Sequence, residues 1–148
     1  MDDDSAKTDI GVSRHVSRWI DASPEAVYDF LADPRTWPAW AAGLAAGELR
    51  QSPQGWLADS PMGTVVVEFS APNTFGVLDH VVRLPSGEAV YNPFRILPAG
   101  PGEPRCEVVF SVRQRGMTDD EFEADIAAVA ADLDALRRLV EGQRQDAQ

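Results

Sequence analysis

Cysteine is almost absent from this chain. Cys106 is the only one, so no intrachain disulfide can form, which agrees with a reducing, cytoplasmic setting. Long apolar runs are missing as well. No stretch approaches the ~20 apolar residues that cross a bilayer, so membrane insertion is not expected. The first nine residues, Met1 to Asp9, are acidic and lack the apolar core of a secretory signal. Positive charge is scarce: 13 Lys and Arg face 24 Asp and Glu, leaving a net charge of -11. Such a surface repels phosphate backbones and anionic headgroups, which argues against nucleic-acid or membrane-surface binding. His15, His80 and Cys106 lie far apart in sequence, without zinc-ligand spacing. There is no G-x-S-x-G elbow and no phosphate loop, and Gly100-Pro101-Gly102 reads as a turn. Neither a metal nor a cofactor is therefore expected.

What is present is one domain of ordinary composition. The 148 residues are 44% apolar, enough to bury about two-thirds of the unfolded surface. An acidic tail is expected over residues 1–10, a single domain over 11–142, and a flexible tail over 143–148.

The start of the domain carries the clearest local signals. Residues 12–20 alternate loosely as a strand. Ser23-Pro24 then reads as an N-cap with proline at the first helical position, where its missing N–H costs nothing. A helix follows over Pro24 to Ala32, and Asp33-Pro34 repeats the signal for a second short helix to Ala41, bearing Trp37 and Trp40. A hairpin is predicted over 46–51 and 55–59, then strands over 64–70, 75–84, 89–97 and 105–113. Thr118 and Glu121 form a capping box for a last helix that runs to Glu141 and stops at Gly142. Phe122, Ile126, Val129, Leu133, Leu136 and Val140 make one apolar stripe along it. Asp119, Asp120, Glu123, Asp125, Asp132 and Asp134 are assigned to the opposite, solvated face. A helix so striped must lie on the sheet.

The register of the sheet follows from its turns. A three-residue loop at Pro85-Ser86-Gly87 puts Val90 opposite Val82, Asn92 opposite His80 and Phe94 opposite Leu78. Pairing Leu97 with Arg105 puts Val108 by Phe94 and Phe110 by Asn92, and sets Arg95 against Glu107 as an exposed ion pair. Val65, Val67 and Phe69 share the covered face and Glu68 points outward. The covered face is apolar except for the row His80, Asn92, Phe110. Asp79 points the other way and is no dyad partner for His80. Tyr91 and Arg95 fall on the outer face.

The segment Val16 to Phe30 with Trp37 and Trp40, the stretch Gly76-Val77-Leu78-Asp79-His80, the run Asn92-Pro93-Phe94-Arg95 and the segment Gly116 to Phe122 carry a family resemblance. Over roughly residues 12–141 the chain resembles the START / polyketide-cyclase superfamily (SRPBCC), in a bacterial polyketide cyclase/dehydrase-like branch. The resemblance implies an α+β helix-grip fold: a curved antiparallel sheet of six to seven strands around a long C-terminal helix, with two short helices after the first strand and a cavity between sheet and helix. Members include lipid carriers, hormone receptors, aromatase/cyclases and ring-hydroxylase subunits, so the fold alone does not supply the function. Arg18 departs from the pattern by sharing strand phase with Val16 and Ile20. It either points into the cavity mouth or is twisted to solvent.

The candidate ligand-binding residues are Val67, Phe69, Leu78, His80, Asn92, Phe94, Val108 and Phe110 on the covered face. Met117, Phe122 and Ile126 on the closing segment join them. His80 is the catalytic candidate as a general acid/base, or a core histidine satisfied by Asn92 or a water. Three functions compete. The first is binding or transport of a small hydrophobic molecule. The second is a polyketide aromatase/cyclase or dehydratase using His80, for which docking an acidic carrier protein to this acidic surface is electrostatically poor. The third is a closed-core interaction module.

Overall fold

In the computed structural model, residues 11–42 and 47–146 are described; the acidic tail expected over 1–10 lies outside them. Strand β1 (Ser13–Ile20) leads into α1 (Pro24–Leu31) and a 3-10 helix (Pro34–Ala39). Strands follow as β2 (Arg50–Ser52), β3 (Gly55–Ser60), β4 (Gly63–Phe69), β5 (His80–Arg83), β6 (Ala89–Asn92), β7 (Phe94–Pro98) and β8 (Cys106–Arg113). A 28-residue helix, α2 (Asp119–Asp146), closes the chain. This is the α+β helix-grip architecture.

The caps are built as the sequence predicts. Ser23 Oγ accepts the Ala26 N–H at 3.1 Å, and Asp33 caps the 3-10 helix through the Arg35 N–H at 3.0 Å. Thr118 Oγ1 accepts the Glu121 N–H while Glu121 Oε1 accepts the Thr118 N–H, so two orphan donors of the first turn are satisfied. The far end of α2 differs: Gly142 is no stop, and the helix runs on to Asp146. A glycine in a helix interior costs only about 1 kcal/mol, which neighbouring turns absorb.

The sheet is antiparallel throughout, in two hydrogen-bonded groups ordered β1-β8-β7 and β2-β3-β4-β5-β6. The single strand expected over 89–97 is broken at Pro93 into β6 and β7. Proline has no N–H for the ladder, so a break there is the ordinary outcome. The two groups stay joined because residues ahead of β5 continue its pairing onto β7. Val77 bridges Arg95, Leu78 N–H donates to Phe94 O, and Ile96 N–H donates to Gly76 O. Gly76 takes φ +71, and a Cβ there would stand 2.6 Å from Ile96 O, so only glycine fits.

Two registers can be compared with expectation. His80 pairs with Asn92 and Val82 with Val90, as the Pro85-Ser86-Gly87 turn requires. Between β7 and β8 the pairing is two residues away from the expected one: Phe94 faces Phe110 and Ile96 faces Val108. An even shift keeps every side chain on its face, so the inner face survives. The expected Arg95–Glu107 pair does not form, because Arg95 now lies opposite Val109 and turns to Asp79.

Strand β1 lies under α2. Val16 and Ile20 are buried, and the same face sends Arg14 to Glu123 at 3.0 Å and Arg18 to Asp134 at 2.8 Å. Arg18 thus neither points into the cavity nor is lost to solvent; it clamps strand to helix. The acids of α2 are correspondingly not one solvated face. The stripe with Phe122, Leu133, Leu136 and Val140 is buried, while Glu123 and Asp134 reach β1 on one side of it. Asp125 and Asp132 line a cavity on the other side.

Candidate functional site

The inner face has a filled end and an open end. At the filled end, α1 and the 3-10 helix press Trp37 against Phe69 and Phe94, with ring centroids 5.0 and 6.0 Å apart. Trp37 is held in place by its indole N–H, which donates to Leu31 O at 2.9 Å. Phe94, Val67 and Val108 are wholly buried here. At the open end, beneath the first turns of α2, is a cavity of about 870 Å³. Its walls are mainly apolar: Val82, Val90, Phe110, Val112, Met117 and Leu133 are among them. It opens to solvent beside Met62, Glu88, Arg113 and Glu121, and Trp37, Trp40 and His80 form its inner end.

His80 sits where the two ends meet. It is only 4% exposed, and Trp37, Phe69, Phe94 and Phe110 surround its ring, Trp37 most closely at 4.8 Å. Its Nδ1 lies 3.1 Å from Leu78 O. A carbonyl only accepts, so Nδ1 carries the proton and Nε2 keeps its lone pair. Among the described residues Nε2 has no hydrogen-bond partner. Burial lowers the imidazole to about 4, against smaller upward pulls from the Leu78 carbonyl and Asp79, so the ring is neutral near pH 7. His80 is thus a fixed, uncharged acceptor at the inner end of an apolar cavity.

Its row partner Asn92 also lines the cavity. Asn92 Nδ2 donates to Val90 O at 3.2 Å, leaving the side-chain carbonyl as a second acceptor. Asp79, as expected, faces the other way. It is 4% exposed and accepts from Arg95 Nε and Nη2, from Tyr91 Oη, and from the Phe94 N–H at 2.8 Å. Burial alone would raise its carboxyl; these donors overcome that and hold it at about 2. The bond to Phe94 N–H, just after Pro93, fixes the break between β6 and β7.

Of the residues expected to line the site, His80, Asn92, Phe110 and Met117 do. Leu78, Phe94, Val67, Val108 and Phe122 are buried in the core, where Phe69 and Ile126 also pack. None of these seven borders the cavity. The cavity lies on the expected face but toward its other end: the short helices fill the Phe94 end, leaving the Val82, Val90 and Val112 end open. Those valines carried the same strand phase and were a readable signal. Asp125 and Asp132 gave none, because a cavity beside the apolar stripe recruits acids that a stripe pattern assigns to solvent. Cys106 is buried, and burial with the nearby Glu25 charge raises its thiol to about 11, so it is inert. The described residues contain no cluster of three metal-ligating side chains, and no helix among them is long and apolar enough to cross a membrane.

The family model for polyketide cyclase / dehydrase and lipid transport matches residues 12–142. The chain belongs to this family. No curated protein matches it in sequence. Solved structures share the fold of this polyketide cyclase/dehydrase-like chain at low identity. XoxI from Bacillus cereus is 14% identical over 90% of this chain and 98% of its own, with a TM-score of 0.69. TTHA0849 from Thermus thermophilus is 16% identical over 89% and 99%, with a TM-score of 0.62. The Zhui aromatase/cyclase from Streptomyces sp. R1128 is 16% identical over 88% and 94%, also with a TM-score of 0.62.

Proposed function

We propose that this family member binds a small hydrophobic molecule in the cavity between its sheet and α2. The observation that carries the reading is the pairing of an 870 Å³ apolar cavity with a buried acceptor, His80, at its inner end. Ligand sites in proteins have this form: a mostly apolar concavity of about 300–1,000 Å³ with few orienting polar groups. A filled core would suit an interaction module; this core is filled at one end only.

A second reading, an aromatase/cyclase- or dehydratase-type enzyme, rests on the same His80 Nε2, whose lone pair is available to take a proton. The lowered basicity of the ring suits hydrogen bonding better than proton abstraction, since a general base works best when its pKa lies near the operating pH. Binding is therefore the primary reading.

Native mass spectrometry of the purified protein, with organic extraction of any adduct, tests it. A reproducible hydrophobic adduct that is weakened or lost in His80→Ala is the expected result. No adduct, together with no saturable uptake of a neutral naphthylamine probe, would overturn it. Turnover of the extracted molecule, lost in His80→Gln while binding persists, would promote the enzymatic reading.

A further inference from the structure

The polar groups of the cavity are mostly acceptors; the exception at its inner end is the Trp40 indole N–H, buried and without a partner among the described residues. His80 Nε2 and the Asn92 carbonyl only accept. Along α2, Glu121, Asp125 and Asp132 border the cavity at spacings of four and seven, which stacks them on one side of the helix. Ala124 and Ala128 lie between them and leave room beside the carboxylates. Glu121 is committed to the capping box, and Asp132 accepts the Ala42 N–H at 3.3 Å. Asp125 has neither a hydrogen-bond donor nor a cation within reach among the described residues. Partial burial raises its carboxyl above the ordinary value, although the residue as a whole is exposed to solvent. The cationic side is weaker. Arg115 is taken by Glu88 at 2.9 Å and by Ala89 O, and Arg113 is an exposed residue of the opening.

We propose that the ligand is a cationic amphiphile, an amine-bearing hydrophobic molecule whose ammonium lies against Asp125 while its apolar body fills the space between α2 and the Val82–Phe110 wall. The inference rests on the cavity-binding reading above and adds the charge of the ligand. His80 supplies the independent observation: a nine-tenths-buried acceptor without a partner, in the same cavity, is open to a second donor on the ligand's body, as the neighbouring Trp40 N–H is open to an acceptor. An anionic ligand would meet carboxylates along the α2 wall, with the Trp40 N–H at the inner end and Arg113 at the opening to favour it.

The test is displacement of neutral N-phenyl-1-naphthylamine by decylamine, decanol and decanoate, all below their aggregation limits, with calorimetric titration of decylamine alongside. Decylamine should displace the probe at roughly tenfold lower concentration than decanoate, the gap that one hydrogen-bonded charge supplies. Asp125→Asn should close most of that gap. Glu123→Gln removes the same charge from the β1 side of α2 and should leave the gap unchanged. Ala128→Lys, which sets a cation beside Asp125, should reverse the order. Decanoate binding as well as decylamine to the unaltered protein would overturn the charge preference and leave cavity binding standing. So would a gap that shrinks equally in Glu123→Gln, since that marks diffuse attraction to an acidic surface. Uptake of neither probe nor amine would overturn the cavity reading itself.

Discussion

Asp79 and Arg95 meet through two parallel hydrogen bonds, 2.8 Å from Nε to Oδ1 and 2.7 Å from Nη2 to Oδ2. The carboxylate is buried and the guanidinium is half exposed. Removing the arginine leaves the buried anion with Tyr91 and one backbone N–H. Arg95→Ala should therefore cost about 3 kcal/mol in urea unfolding at pH 7. Asp79→Asn should cost less, because the freed arginine returns to water. A loss below about 1 kcal/mol for Arg95→Ala would show that the pair does not hold the Pro93 break.

His80 gives stability a pH dependence of known sign. Its folded pKa of about 4 lies below the unfolded 6.5, so the unfolded chain binds the extra proton between these values. The contribution is intact above the unfolded pKa and is lost as pH falls toward the folded one. Stability should drop by about 2 kcal/mol from pH 7 to pH 5, and His80→Gln should abolish that component. Chemical denaturation at the two pH values measures it; equal slopes in both proteins would show that the ring is not buried neutral.

Phe94 and Phe110 are cross-strand partners with ring centroids 5.3 Å apart, yet their truncations should differ. Phe94 is fully buried at the filled end, so Phe94→Ala should cost about 3–5 kcal/mol. Phe110 borders the cavity, and its truncation enlarges a space already open, so Phe110→Ala should cost roughly half as much. Thermal unfolding of the two variants decides; equal losses would mean that the cavity end is as tightly packed as the core.

Gly76→Ala places a methyl group against Ile96 O in a left-handed backbone. The loss should be about 1–3 kcal/mol. Because Gly76 O also accepts the Ile96 N–H at 2.9 Å, hydrogen exchange at Ile96 should accelerate more than exchange in β3 and β4. Uniform acceleration would refute this as a local lesion.

The elements legible in the sequence were those with short-range chemistry. Ser23-Pro24 and Thr118 with Glu121 state their caps within four residues, and the Pro85-Ser86-Gly87 loop states the β5–β6 register. Errors entered where a choice depended on distant parts. The β7–β8 register depends on a longer turn, where an even shift preserves the apolar pattern and nothing local opposes it. Pro93 is a legible break, since proline cannot donate to the ladder, although the apolar alternation continues across it. The site was half legible: His80, Asn92, Phe110 and Met117 followed from strand phase and helix start. Which end of the face stays open depends on where two short helices dock, and that is a tertiary fact. The roles of Asp125 and Asp132 were hidden for the same reason.

The Asp79 cluster lies on the convex side of the sheet and the cavity on the concave side. Of that cluster Tyr91 also borders the cavity, while Asp79 and Arg95 are not groups a ligand would meet. Substitutions at Val82, Val90, Ala128 or Val129 change the shape and polarity of the interior without touching the Asp79–Arg95 pair. Such a separation gives the scaffold evolvability: one shell tolerates many interiors. It also gives an engineer a practical rule, which is to randomise the concave positions freely and leave Gly76, Asp79, Pro93 and Arg95 alone.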